Sequence, residues 1–361
     1  MNDRNNGHLI KTIFISKDLA LFIIIIVSLI SKIFLNCMLP SKYLYDSTTI
    51  INFSNGINFL AADKSYAFTA NFYEPLVYLF SINNAITGSI IIGILCNTLM
   101  IVFFMVKFPK KIYLTDFILF SACIFLLNIY VFNISKDLIQ LIINIIIMLI
   151  ILKLRDKSNL FVTIILITFG YFFRSYLFVV AIIYLYLQFF TKKIKSKISF
   201  SILTIFFFFS LTFLLYNTNL ELFNNIFNTR DTINNFREGS IDANTIINPI
   251  IKKSGYIYTI LNYFINFIRM IFPLELLIKG NILYFIFFIF IFHLLILIFR
   301  NKNKVFSDKN LESIFFVFLS YIFTFVLFEP DFGPYLRHLV PICSIFLFFI
   351  LCNNEGIKNE Y

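Results

Sequence analysis

The residues with chemical reach are few and sit in short, separated segments. The densest is FEPDFGPYLRHLVP (328–341), which places Glu329, Asp331, Arg337 and His338 within ten positions of one another. Arg337 offers a planar fork of donors suited to phosphate oxygens. Neutral His338 offers a base. Glu329 and Asp331 are candidate acids, bases or salt-bridge partners, and Pro330, Gly333, Pro334 and Pro341 give the segment a bent backbone. The same residues also suit an interfacial ion-pair cluster that anchors a helix.

Arg174, in YFFRSYLF, lies in the middle of the apolar stretch 159–190. A lone Arg at mid-bilayer costs about 2.5–3.5 kcal/mol on insertion scales. Two short helices meeting at Arg174 would avoid that cost by placing it at a membrane boundary, either as a snorkelling side chain or as an anion-binding wall of a cavity. Lys136 and Asp137 stand together in NISKDL, where Asp137 either serves the N-terminus of the following helix or does chemistry. Asp46, in KYLYDS, is either a solvated loop residue or the group that activates an acceptor hydroxyl. Arg230, Arg237 and Arg269 follow in a long segment that is polar and Asn-rich over 217–254 and apolar over 255–280.

The rest of the chain must hold these groups in lipid. Of 361 residues, 60% are hydrophobic and 14% charged, where a soluble domain carries about 25%. The mean hydropathy is +0.88, and Phe alone occurs 51 times. So little charge cannot cover a soluble exterior. This excludes a cytoplasmic enzyme, a disulfide scaffold and a disordered chain. The continuous apolar runs also speak against alternating barrel strands. The expected class is all-α and polytopic, a single membrane domain over 1–361. About ten spans are predicted, at 19–37, 84–106, 112–132, 138–153, 159–173, 175–190, 198–216, 281–299, 312–328 and 338–352, the fourth to sixth being short.

Charge fixes the expected orientation. With the N-terminus inside, the inner half collects 18 of the 30 Lys and Arg but only 8 of the 19 acids, Asp116 and Glu312 at the inner ends of spans included, which places both termini in the cytoplasm. Two long segments then face out, 38–83 and 217–280, and residues 255–280 read as an interfacial or re-entrant helix. The run Leu19–Leu35 has no small-residue cleavage site after it and is expected to stay as a signal anchor. The five cysteines are scattered without a CxxC pair. No phosphate-loop, dinucleotide, HExxH or GxSxG pattern occurs. No metal, nucleotide or other cofactor, and no nucleic-acid partner, is indicated.

Taken together, KYLYDS, NISKDL, YFFRSYLF and FGPYLRHLVP, on a Phe- and Ile-rich chain of about ten spans with two outer loops, resemble the polytopic polymerases of bacterial surface polysaccharides. These are the O-antigen (Wzy-type, oligosaccharide repeat-unit) polymerases and their relatives. The resemblance implies transfer of a growing glycan from undecaprenyl diphosphate to a new lipid-linked repeat unit, at the periplasmic face of the inner membrane. It implies no cofactor, since the diphosphate is the leaving group. A glycosyltransferase-C-like bundle is compatible with it, and the implied partners are the lipid-linked oligosaccharide, membrane lipid and a chain-length regulator protein. In such an enzyme Arg174 and Arg337 would lead in neutralising the diphosphate, with Arg230, Arg237 and Arg269 behind them. His338, Asp137 and Asp46 would be the leading bases, and Lys136, Glu329 and Asp331 further site candidates. Tyr43, Tyr45, Tyr66 and Tyr73 could stack on sugars or form an interfacial belt. Two other readings stay open. One is a transferase using a polyprenyl-monophosphate sugar, although Asp46 lacks an adjacent acidic partner. The other is a lipid-linked-oligosaccharide flippase, although Lys32 and Asp116 are the few charges within spans.

Overall fold

Apolar runs of this length have one way to satisfy their backbone in lipid, which is to coil. The computed structural model describes residues 13–56, 64–107, 110–154, 157–191, most of 212–227, 245–251, 255–278, parts of 285–294, and 308–352 except 330. It opens with strand β1 (Phe14–Ser16), which leads into helix α1 (Lys17–Ile33) and a π-helical turn at Phe34–Met38. The short helices α2 (Tyr45–Ser54) and α3 (Lys64–Leu79) follow, then α4 (Ala85–Lys107). Strand β2 (Lys111–Tyr113) precedes α5 (Leu114–Leu126), which ends in a second π-helical turn at Leu127–Val131. The chain continues through α6 (Lys136–Leu154), α7 (Ser158–Phe172), α8 (Tyr176–Thr191), α9 (Leu220–Phe227), α10 (Tyr256–Ile271) and α11 (Leu274–Ile278). It closes with α12 (Lys309–Phe328) and α13 (Phe332–Cys352).

Five of these helices are long and apolar enough to cross a membrane: α1 with its π turn, α4, α5 with its π turn, α6 and α12. Three shorter apolar helices correspond to the expected spans 159–173, 175–190 and 338–352. These eight account for eight of the ten expected spans; of the other two, 198–216 lies mostly, and 281–299 largely, outside the described residues. The fourth span is longer than its apolar run suggests. Helix α6 starts at Lys136 because Ser135 caps it, its Oγ accepting from Leu138 N at 3.2 Å. The segment 38–83 is largely helical, as α2 and α3 pack against each other. The turn between α7 and α8 falls at Phe173–Ser175, so Arg174 sits in a helix break.

Helices α6, α7, α8, α12 and α13 pack in a closed ring, each against the next and α13 back on α6. Beside α13 stands a row of α5, then α1, then α4. Burial follows this order: 67% of the apolar windows of α5 and α12 is buried, against 28% for α1 and 22% for α4. The exposed faces of α1 and α4 are apolar, with Phe22, Leu29, Ile90, Ile94 and Leu99 open. Such faces suit contact with lipid. At one end of the bundle β1 and β2 pair antiparallel, Ile15 opposite Ile112, tying the starts of α1 and α5 together. Lys17 extends this tie by donating to the Met105 carbonyl at the end of α4. At the other end α6, α8 and α13 begin, α7 and α12 end, and the α2–α3 pair lies against α4, α6 and α7.

Candidate functional site

At that second end the polar residues of four separate segments converge. Asp137, in the first turn of α6, is fully buried. Its Oδ1 meets Arg174 NH2 at 2.9 Å, and its Oδ2 meets Arg337 Nε at 3.0 Å. With Ser135 acting as the cap, the Asp137 carboxylate is turned inward and serves the two guanidiniums. Arg174 is 8% exposed and donates through NH1 to Tyr176 OH at 2.9 Å and to Gln140 Oε1. Tyr176 OH in turn donates to Gln140 Oε1 at 2.7 Å, and Gln140 Nε2 donates to the His338 carbonyl at 3.2 Å. Three ring helices, α6, α8 and α13, thus lock one guanidinium in place.

Arg337 faces two carboxylates with different edges. Nε meets Asp137, and NH1 meets Asp46 Oδ2 at 2.9 Å. Asp46 comes from α2, and its Oδ1 accepts from Tyr66 OH of α3 at 2.7 Å. Burial works against the Asp46 charge, but the neighbouring Arg337 guanidinium and the Tyr66 hydroxyl hold its carboxyl below the ordinary carboxylate range. Burial, with Asp46 alongside, pushes the Tyr66 phenol up, so it acts as a donor at any physiological pH. Lys136 Nζ stands 3.3 Å from the centroid of the Tyr66 ring and donates to Ser65 Oγ at 3.2 Å.

His338 completes the group. Its Nδ1 lies 2.5 Å from Glu329 Oε1, while Nε2 lies 3.4 Å from Arg337 NH2 and 3.6 Å from Asp137 Oδ1. A carboxylate on Nδ1 and a guanidinium donor near Nε2 select, by these neighbours, the tautomer with the proton on Nδ1. Nε2 then carries the lone pair.

These groups border a cavity of about 270 Å³, lined by Ser65, Lys136, Phe173, Arg174, Ser175, Tyr176, Arg337 and His338. Three of the lining side chains are permanent or near-permanent cations, three carry a hydroxyl, and none is a carboxylate. The acids lie behind the wall: Asp137 and Asp46 hold the arginines from the rear, and Glu329 holds the imidazole. The wall therefore presents positive charge and donors to the cavity. That is the arrangement an anionic group needs, and its volume suits a head group better than a chain of sugars.

No family model, curated protein or solved structure matches the chain. The functional reading rests on the geometry.

The geometry brings together Asp46, Lys136, Asp137, Arg174, Glu329, Arg337 and His338, from segments up to 292 positions apart in sequence. It separates two others from the cavity wall. Asp331 marks the start of α13, where its Oδ1 accepts from Gly333 N at 2.8 Å and its backbone pairs with Ile246. Arg269 is a bracket: it donates to the Asn248 carbonyl at 2.8 Å and forks both oxygens of Glu275 at 3.1 and 2.9 Å. Its expected place on a diphosphate is corrected accordingly, since a carboxylate six residues on captures its fork. Arg230 and Arg237 lie outside the described residues. Tyr73 is fully buried and donates to the Ser135 carbonyl at 2.9 Å, so it supports the turn and presents no sugar platform. Gln140 escaped the reading of the sequence. Its signal was there, an amide three residues after Asp137 on the same face of an apolar helix.

Proposed function

We propose that this protein is a membrane glycosyltransferase of the polymerase type. It would transfer a growing glycan from undecaprenyl diphosphate to a new lipid-linked repeat unit at the outer, periplasmic face of the bacterial inner membrane. The observation that carries this reading is the cavity wall: Lys136, Arg174 and Arg337 face inward with no carboxylate among them, at the end of the bundle opposite Lys17, Lys107 and Lys111. The basic end is the cytoplasmic one by charge bias, so the cavity opens on the other side.

In this reading the diphosphate binds against Arg174, Arg337 and Lys136. The acceptor hydroxyl gives its proton to Nε2 of His338, and its oxygen forms the new bond to the anomeric carbon. The bond from that carbon to the diphosphate oxygen breaks, and the electron pair leaves with the diphosphate. The arginines stabilise the charge that develops there. Glu329 offsets the charge of the imidazolium. Asp137 keeps both guanidiniums aimed, as pre-ordered donors cost no rearrangement when charge develops.

The test is chain extension in cells. Arg174→Ala and Arg337→Ala should each abolish long-chain polysaccharide while the protein still inserts in the membrane. On a lipopolysaccharide gel, loss of a polymerase leaves a core bearing one repeat unit, whereas loss of a flippase or a sugar transferase leaves none. Full-length ladders in both alanine variants would end the proposal.

A further inference from the structure

Lys32 lies inside the spanning helix α1, outside the cavity, and nothing in the proposed chemistry uses it. Its Nζ is engaged by neutral acceptors: the Phe132 carbonyl at 2.6 Å, Asn133 Oδ1 at 2.8 Å and Ser89 Oγ at 3.2 Å. Among the described residues no carboxylate pairs with it. The room for its stem is made by Gly93 of α4, where a Cβ would come within 2.4 Å of Lys32 Cε.

A half-buried cation in a helix long enough to span, with no counter-ion among the described residues, demands a reason. Holding α4 to the turn after α5 is not a sufficient one. Asn97 of α4 and Asn128 of the α5 π turn exchange side-chain hydrogen bonds at 2.7 and 3.1 Å and do that without charge. What an ammonium adds is three donors on one atom. Two of them grip consecutive residues, Phe132 and Asn133, where the chain leaves the π turn and reverses into α6. Asn133 is further fixed by Ser89 Oγ on its Oδ1 at 2.8 Å and by its own Nδ2 on the Ile129 carbonyl at 2.7 Å. Two residues on stands the cap, Ser135, whose Oγ donates to the Val131 carbonyl at 3.2 Å. The next two residues are Lys136 and Asp137.

We infer that Lys32 is a positioning residue for the anion cavity: through the Phe132–Asn133 turn it sets the height of Asp137 behind Arg174 and Arg337. This rests on the reading of the cavity as a phosphate site. An ångström of slip in the turn would carry the Asp137 carboxylate away from both guanidiniums, and misplacement on that scale costs about 10²-fold in function.

The experiment uses the full chain in detergent with inorganic pyrophosphate as the probe, affinity being read from the pyrophosphate-dependent rise in melting temperature. Three variants are compared with the native chain. Lys32→Met keeps the stem and removes the donors. Gly93→Ala keeps the ammonium and pushes the flexible stem aside, which the fold should tolerate even where Lys32→Met does not. Arg174→Ala removes a wall residue. Lys32→Met and Gly93→Ala should each weaken pyrophosphate binding at least tenfold, with the melting temperature of the ligand-free protein within about 5 °C of native. Arg174→Ala should abolish binding. Native affinity in Gly93→Ala and in any folded Lys32→Met, alongside loss in Arg174→Ala, would overturn the role of Lys32 and leave the cavity reading intact. Absence of binding by the native chain would overturn both.

Discussion

Lys32 and Arg174 are both cations set within an apolar bundle, yet their surroundings are opposite in kind. Lys32 is held by a carbonyl, an amide and a hydroxyl, with the stem closed in by Gly93. Arg174 has a carboxylate behind it, an amide and a phenol beside it and a cavity in front. The α1–α4–α5 row is joined by one ammonium on neutral acceptors and by a pair of amides, while the end of the α6–α7–α8–α12–α13 ring is joined by ion pairs. Neutral hydrogen bonds are the usual glue between membrane helices and ask for no water. Ions are costly there and persist where they line a path or a site. The lesson is that a charge among apolar helices does not by itself tell a cavity wall from a support behind it. What the charge faces does.

The largest effect is expected at Asp137. Asp137→Asn leaves two guanidiniums against one neutral amide, and breaking a fully buried pair costs about 3–5 kcal/mol. Chain extension should fall by about 10²–10³-fold, since both anion-facing donors lose their aim. Thermal unfolding in detergent and the polysaccharide gel measure the two losses, and a stable, active variant would erase the distinction between the ring end and the row.

Next comes Arg337→Lys. Arg337 meets Asp46 and Asp137 with different edges of its fork, which a single ammonium cannot reproduce. Activity should drop by about 10²-fold with normal membrane insertion; retention of activity would mean that charge without shape is enough.

Asn97→Ala probes the row. Loss of the Asn97–Asn128 exchange should cost about 0.6–2 kcal/mol, seen as a lower melting temperature, while pyrophosphate binding stays native. A binding defect would show that the row tunes the cavity more broadly than through Lys32.

The smallest effect is a pH dependence at Asp46, whose carboxyl is held below its usual range. A depressed folded value means that its contribution is full above the unfolded value of about 3.9 and fades as the pH falls through the lower folded value. The difference in melting temperature between the native chain and Asp46→Asn should therefore be present at pH 5–7 and close under more acidic conditions. A gap that instead widens on acidification would show that Asp46 is not held as a carboxylate by Arg337.

Some of this was readable from residue order alone. An Arg in the middle of an apolar stretch has to find a boundary, and the chain breaks at Phe173–Ser175 to provide one. Arg337, His338 and Glu329 announced themselves by proximity in one segment. Arg269 stood behind Arg174 as a diphosphate candidate, and its fork is taken by Glu275. The segment 38–83 read as a loop because its apolar residues are too few for a span, yet α2 and α3 needed only to cover the ring end.

Residue order determined helices long and apolar enough to cross a membrane, because so few charges cannot cover a soluble surface and continuous apolar runs leave the backbone no partner but itself. It also named most of the ionic groups, since a bilayer makes each one conspicuous. Only the tertiary structure decided which of them meet and which way they face. Whether an arginine is an anchor, a bracket or the wall of a cavity depends on the carboxylate that reaches it. Asp137 reaches Arg174 and Arg337 across 37 and 200 positions of sequence. That distance is closed by packing a ring of helices, and no local pattern encodes it.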